Sequence, residues 1–92
     1  MTAVRINEVA EKFLEDLFTK DYAQVNIKAE KGYEIIYSAK VTKENDYELR
    51  RSELFGEKEN GKVLRPCFLK TDSDDMLNSL ILDLRTDLER YC

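Results

Sequence analysis

The sequence predicts an α+β domain: an N-terminal helix, a four-stranded antiparallel β-meander and a C-terminal helix, with both helices on one sheet face. Three observations predict it. Apolar residues recur at helical spacing over residues 6–18 and again over 77–91. Between them, residues 24–70 largely alternate apolar and polar side chains, the period of a half-buried strand. The dipeptides Lys31-Gly32 and Asn60-Gly61 punctuate that stretch as turns do.

In the first helix the apolar residues are Ile6, Val9, Ala10, Phe13, Leu14, Leu17 and Phe18, with Asn7 or Thr2 as candidate caps. Glu8, Glu11, Lys12, Glu15 and Asp16 form its solvated face. Val25, Ile27 and Ala29 make a first strand. Tyr33, Ile35, Tyr37, Ala39 and Val41 make a second, with Ile36 the one apolar residue out of phase. A two-residue Lys31-Gly32 turn would put these stripes on opposite faces. A three-residue loop, Glu30-Lys31-Gly32, instead pairs Ala29 with Tyr33 and Ile27 with Ile35, with Gly32 left-handed.

The polar stretch 43–46 leads to a third strand opened by Tyr47 and Leu49, and residues 63–69 form a fourth. Asn60-Gly61 predicts a type I′ hairpin with Glu59 opposite Lys62, Leu54 opposite Cys67 and Ser52 opposite Leu69. Tyr47 and Leu49 are odd-numbered whereas Leu54 is even, so this register requires a β-bulge near Arg50-Arg51. Pro66 lacks an amide donor and marks the fourth strand as an edge. Thr71, Asp72 and Ser73 compete to cap the last helix. Its stripe is Leu77, Leu80, Ile81, Leu84, Leu88 and Tyr91, with Met76 and Leu82 wider than one sheet face needs.

The 92 residues form a single domain, 1–92, too apolar at 42% for a disordered segment. Histidine is absent, which removes Ser-His-Asp and Cys-His nucleophile systems and histidine-bearing zinc sites. Cys67 and Cys92 have no metal-ligand spacing; in a reducing cytosol both are thiols, Cys67 packed in a strand and Cys92 exposed. Asp72, Asp74 and Asp75 resemble the start of a calcium loop but lack its glycine and closing glutamate, and helix capping accounts for all three. No glycine-rich phosphate loop occurs. No metal, no cofactor and no enzymatic activity is expected. No apolar run is long enough to span a membrane, and the acids within residues 1–20 argue against a secretory signal, so the expected location is the cytoplasm.

Charge is distributed unevenly: net −2 over residues 1–22, +2 over 23–70 and −4 over 71–92. Acidic helices therefore flank a mildly basic sheet. The sheet face away from the helices is expected to carry Lys28, Lys40 and one of Arg50 or Arg51, beside Ile36, Phe55, Leu64 and Phe68. An apolar second face on a small soluble domain points to a protein partner or a second copy. Ile36, Phe55, Leu64 and Phe68 are the expected contacts, with Arg50 and Arg51 as orienting rim charges. The acidic face of the last helix, Asp72, Asp74, Asp75, Asp83 and Asp87, suits a basic groove on a partner.

Aromatics among cations also suit single-stranded nucleic acid. In architecture alone, a meander followed by a helix resembles the Whirly and PUR-type single-strand binders, without their signature residues. The overall charge of −4 makes nucleic acid the alternative. The expected function is that of a non-enzymatic acidic protein-binding domain, an adaptor or stoichiometric inhibitor of phage type, homodimeric through the second sheet face or the fourth strand.

Overall fold

The computed structural model describes residues 1–29, 32–55, 62–68 and 73–92, the side chains of Phe55, residues 62–68 and Ser73 excepted. An N-terminal helix, α1 (Ala3–Lys20), leads into antiparallel strands β1 (Tyr22–Lys28), β2 (Tyr33–Val41) and β3 (Tyr47–Phe55), and a C-terminal helix, α2 (Ser73–Tyr91), closes the chain. A segment β4 (Lys62–Phe68) pairs with the outer side of β3, in the order β1-β2-β3-β4.

Local chemistry explains the boundaries. Thr2 Oγ1 accepts the Arg5 amide at 3.1 Å, so α1 begins well before its first buried residue. Asp21 ends the helix at φ 60°, the left-handed cap, and its carbonyl accepts the Val41 amide at 3.0 Å. Gly32, at φ 78°, occupies the left-handed position expected of it, and the register Ile27↔Ile35 is the one the three-residue loop requires; Glu30 and Lys31 lie outside the described residues. In the β2–β3 turn Asn45 takes φ 59°, tolerated by its short polar side chain, and Asp46 donates its amide to Thr42 Oγ1 at 3.1 Å.

One core holds the fold together. Ala10, Phe13 and Leu17 of α1 meet Leu77, Leu80, Ile81, Leu84 and Leu88 of α2 over Ala23, Ile27, Ile35, Tyr37, Ala39 and Leu49. Every buried apolar strand residue in that set is odd-numbered, so both helices share one sheet face. Phe18, expected in the buried stripe, is instead 58% exposed, its ring 6.4 Å from that of Tyr47. It lies one residue past Leu17, where the stripe has rotated toward solvent. Met76 and Leu82 are surplus to the core and exposed.

Two expectations are overturned. The β2–β3 ladder runs without interruption from Val41↔Tyr47 to Tyr33↔Phe55, so no bulge occurs near Arg50-Arg51. β4 pairs as Leu54↔Lys62, Ser52↔Leu64 and Leu49↔Cys67, not as Leu54 with Cys67; the expected pair of Glu59 with Lys62 involves Glu59, outside the described residues. With β3 unbroken, Leu49 stays in the core phase and takes Cys67 opposite it. Long-range pairing, rather than the propensity of one dipeptide, sets this register. The Asn60-Gly61 turn itself, Leu69, and the caps Thr71 and Asp72 lie outside the described residues. Pro66 pairs with Arg50, a position where the ladder asks no amide of β4, which suits an edge strand.

Candidate partner-binding surface

Since successive side chains of a strand alternate, the unbroken β3 decides what each face carries. The face away from the helices takes the even-numbered residues. On β1, Tyr22 Oη donates to Gln24 Oε1, Gln24 Nε2 to Asn26 Oδ1 at 2.9 Å, and Asn26 Nδ2 to Glu34 Oε2 of β2 at 3.3 Å. Beside this polar ladder, Glu48 of β3 pairs with Arg50 at 2.9 Å and with Lys40 of β2 at 3.6 Å. The Arg50 hydrogen bond, reinforced by Lys40, holds the Glu48 carboxyl below its ordinary range. Tyr22, Ser38, Lys40, Glu48 and Arg50 line a shallow depression here. The apolar share among the described side chains is narrow: half-buried Ile36, opposite the buried Ser52, and half-buried Leu54.

The expected contact residues divide accordingly. Ile36 and Arg50 lie together on this open face, and the backbone pairs Leu64 with Ser52 and Phe68 with Glu48. The Phe55 backbone pairs with Tyr33, a position in the phase of the helix-covered face, and its side chain lies outside the described ones. Arg51 is a second correction. It shares the phase of Leu49 and lies under α2, its side chain only 14% exposed. Of the two arginines, only Arg50 reaches the open face.

Arg51 organises a cluster that the sequence reading missed. Its Nε donates to Asp87 Oδ2 and to Tyr37 Oη, each at 3.0 Å, and its Nη1 donates to Glu53 Oε1. Tyr37 Oη in turn donates to Asp87 Oδ2, and the guanidinium lies 5.8 Å from the Tyr37 ring centroid. Burial, then the hydrogen bond to Asp87, pushes the Tyr37 phenol well above its ordinary value, with Arg51 opposing. Tyr33 is raised mainly by burial and then by Glu53, and its ring meets that of Tyr91 edge-on at 5.6 Å. One guanidinium thus ties β2, β3 and α2 together.

Asp87 belongs to this cluster and not to the acidic outer face of α2. It is 6% exposed because it falls between Leu84 and Tyr91, in the inward stripe. Asp74, Asp75 and Asp83 are exposed as expected, and Asp72 lies outside the described residues. Two signals in the sequence mark the cluster: an aspartate at a stripe position, and Arg51 and Glu53 continuing the odd-numbered phase of Tyr47 and Leu49. The assumed bulge hid the second. Among the described residues no group of three or more metal-ligating side chains forms, and no helix is long and apolar enough to cross a membrane. No family model, no curated protein and no solved structure matches the chain.

Proposed function

We propose that this chain is a non-enzymatic protein-binding domain, an adaptor or stoichiometric inhibitor, that meets its partner with the open face of its sheet. One observation carries the reading: both helices pack on the odd-numbered face, and no described element covers the even-numbered face of β1, β2 and β3. Half-buried Ile36 and Leu54 share that face with the ion-paired Lys40, Glu48 and Arg50. That mixture suits a non-obligate interface, which is no more apolar than ordinary surface, better than a permanent apolar one. With β4 as the outer strand of a four-stranded meander, Leu64 and Phe68 extend the same cross-strand rows.

Nucleic acid is disfavoured on this face because Lys40 and Arg50 already share Glu48, and phosphate binding draws on cations free to release counterions. The buried Tyr37–Arg51–Glu53–Asp87 cluster satisfies itself by internal hydrogen bonds, which supports a structural rather than a catalytic role. The test is affinity capture from cells that contain the chain. A double variant, Ile36→Asp with Arg50→Glu, is compared with a control on exposed α1, Glu11→Lys. A partner held by the parent and the control but lost by the double variant supports the proposal. Equal capture by all three, each folded by circular dichroism, overturns it.

A further inference from the structure

Among the described residues β1 is an edge of the sheet, and its outer side has a definite pattern. The Ala29 amide donates to the Tyr33 carbonyl at 2.8 Å, and the Val41 amide to the Asp21 carbonyl at 3.0 Å. Those two bonds bracket β1. With the uninterrupted register between them, they place the odd-numbered residues in hydrogen-bonded pairs with β2. The amides and carbonyls of Tyr22, Gln24, Asn26 and Lys28 therefore face outward.

Sheet edges are usually blunted by proline, a bulge or inward charge. The other edge has Pro66. β1 has no proline, glycine or bulge, and its one charged side chain is Lys28 at its end. Tyr22, Gln24 and Asn26 are joined side chain to side chain along the strand, a polar row beside its outward-facing backbone groups.

We infer that β1 pairs antiparallel with β1 of a second copy, about a two-fold axis at Val25. The sequence Tyr22–Lys28 is self-complementary in that register. Gln24 falls opposite Asn26 of the other copy, amide against amide. Ala23 falls opposite Ile27, small against large on the helix side. Lys28 falls opposite Tyr22, which separates the two ammonium groups instead of stacking them. All four outward-facing residues enter hydrogen-bonded pairs, and Val25 meets its symmetry mate in a non-hydrogen-bonded pair, as the parity of the ladder demands. Shifting the strands by one pair in either direction leaves outward groups at the strand ends unmatched. The two-fold axis stands perpendicular to the sheet, so the open faces of both copies join into one surface.

This inference is independent of the partner-binding reading, because it is tested on the purified chain alone. Sedimentation velocity over a concentration series should show twice the monomer mass at high micromolar protein. Gln24→Lys with Asn26→Lys sets like charges opposite each other and should give a monomer. Gln24→Lys with Asn26→Glu sets opposite charges across the junction and should remain dimeric. In a Cys92→Ser background, Val25→Cys should form a dithiothreitol-reversible cross-link on oxidation, since non-hydrogen-bonded partners lie within disulfide reach. That result stands even if a charge variant fails to fold. A parent that stays monomeric throughout overturns the inference and leaves the edge to an extended segment of another protein. A doubly lysine-substituted chain that still dimerises, or the absence of the Val25→Cys cross-link, also overturns it.

Discussion

At the scale of single residues, Asp87 ties α2 to the sheet. It accepts from Tyr37 and from Arg51 while buried between α2 and the sheet. Removing one member of such a group leaves a charge without its partner, so Asp87→Ala should cost about 3–5 kcal/mol in urea unfolding. Replacing Arg51, Glu53 and Asp87 together by apolar residues of similar volume should cost far less, because charged clusters gain little over well-packed apolar groups. A triple variant as unstable as Asp87→Ala would contradict that. Tyr37 adds a pH dependence. Its pKa is raised above the ordinary 10.0, so the phenolic proton is held more tightly in the folded than in the unfolded chain. Its contribution is then fully present below pH 10 and is lost as pH rises through the folded value. The stability gap between the parent and Tyr37→Phe should be constant from neutral pH to about pH 10 and narrow above it; a gap that widens there would contradict the assignment.

At the scale of elements, each helix is held by its apolar stripe, and the side-chain cap among the described residues is that of α1. α1 has a side-chain cap, and Thr2→Ala should destabilise by about 1 kcal/mol in urea unfolding. α2 is held by its stripe, so Leu84→Ala should cost about 2–5 kcal/mol. Leu82→Ala, at a residue 64% exposed, should change stability little. The helices and the β1–β2 pairing were legible because a strict period and a glycine at the loop agree with one another. β3 was not, because its core phase carries Leu49, then Arg51, then Glu53. Two charged residues in buried positions look like a phase slip unless Asp87, the partner of Arg51 distant in sequence, is already in place. Leu54, apolar and on the open face, strengthened that misreading. The site suffered the same error. Alternation puts Ile36 on the open face, whereas the expected bulge leaves open which of Arg50 and Arg51 stands beside it; the unbroken ladder assigns Arg50.

For the whole molecule, the decisive feature is its two-layer build. Its shortest dimension is 20 Å, room for one sheet and one helix layer but not for helices on both faces. No described element lies on the layer away from the helices, where ion pairs and an amide ladder join the polar side chains. The acidic outer face of α2, with Leu82 beside Asp83, is the competing contact. Amide and methyl NMR perturbations, recorded as a captured partner is titrated in, separate the two. Perturbation centred on Ile36, Ser38, Lys40 and Arg50 is the predicted result, whereas perturbation centred on Asp75, Leu82 and Asp83 with an unchanged sheet would contradict the account.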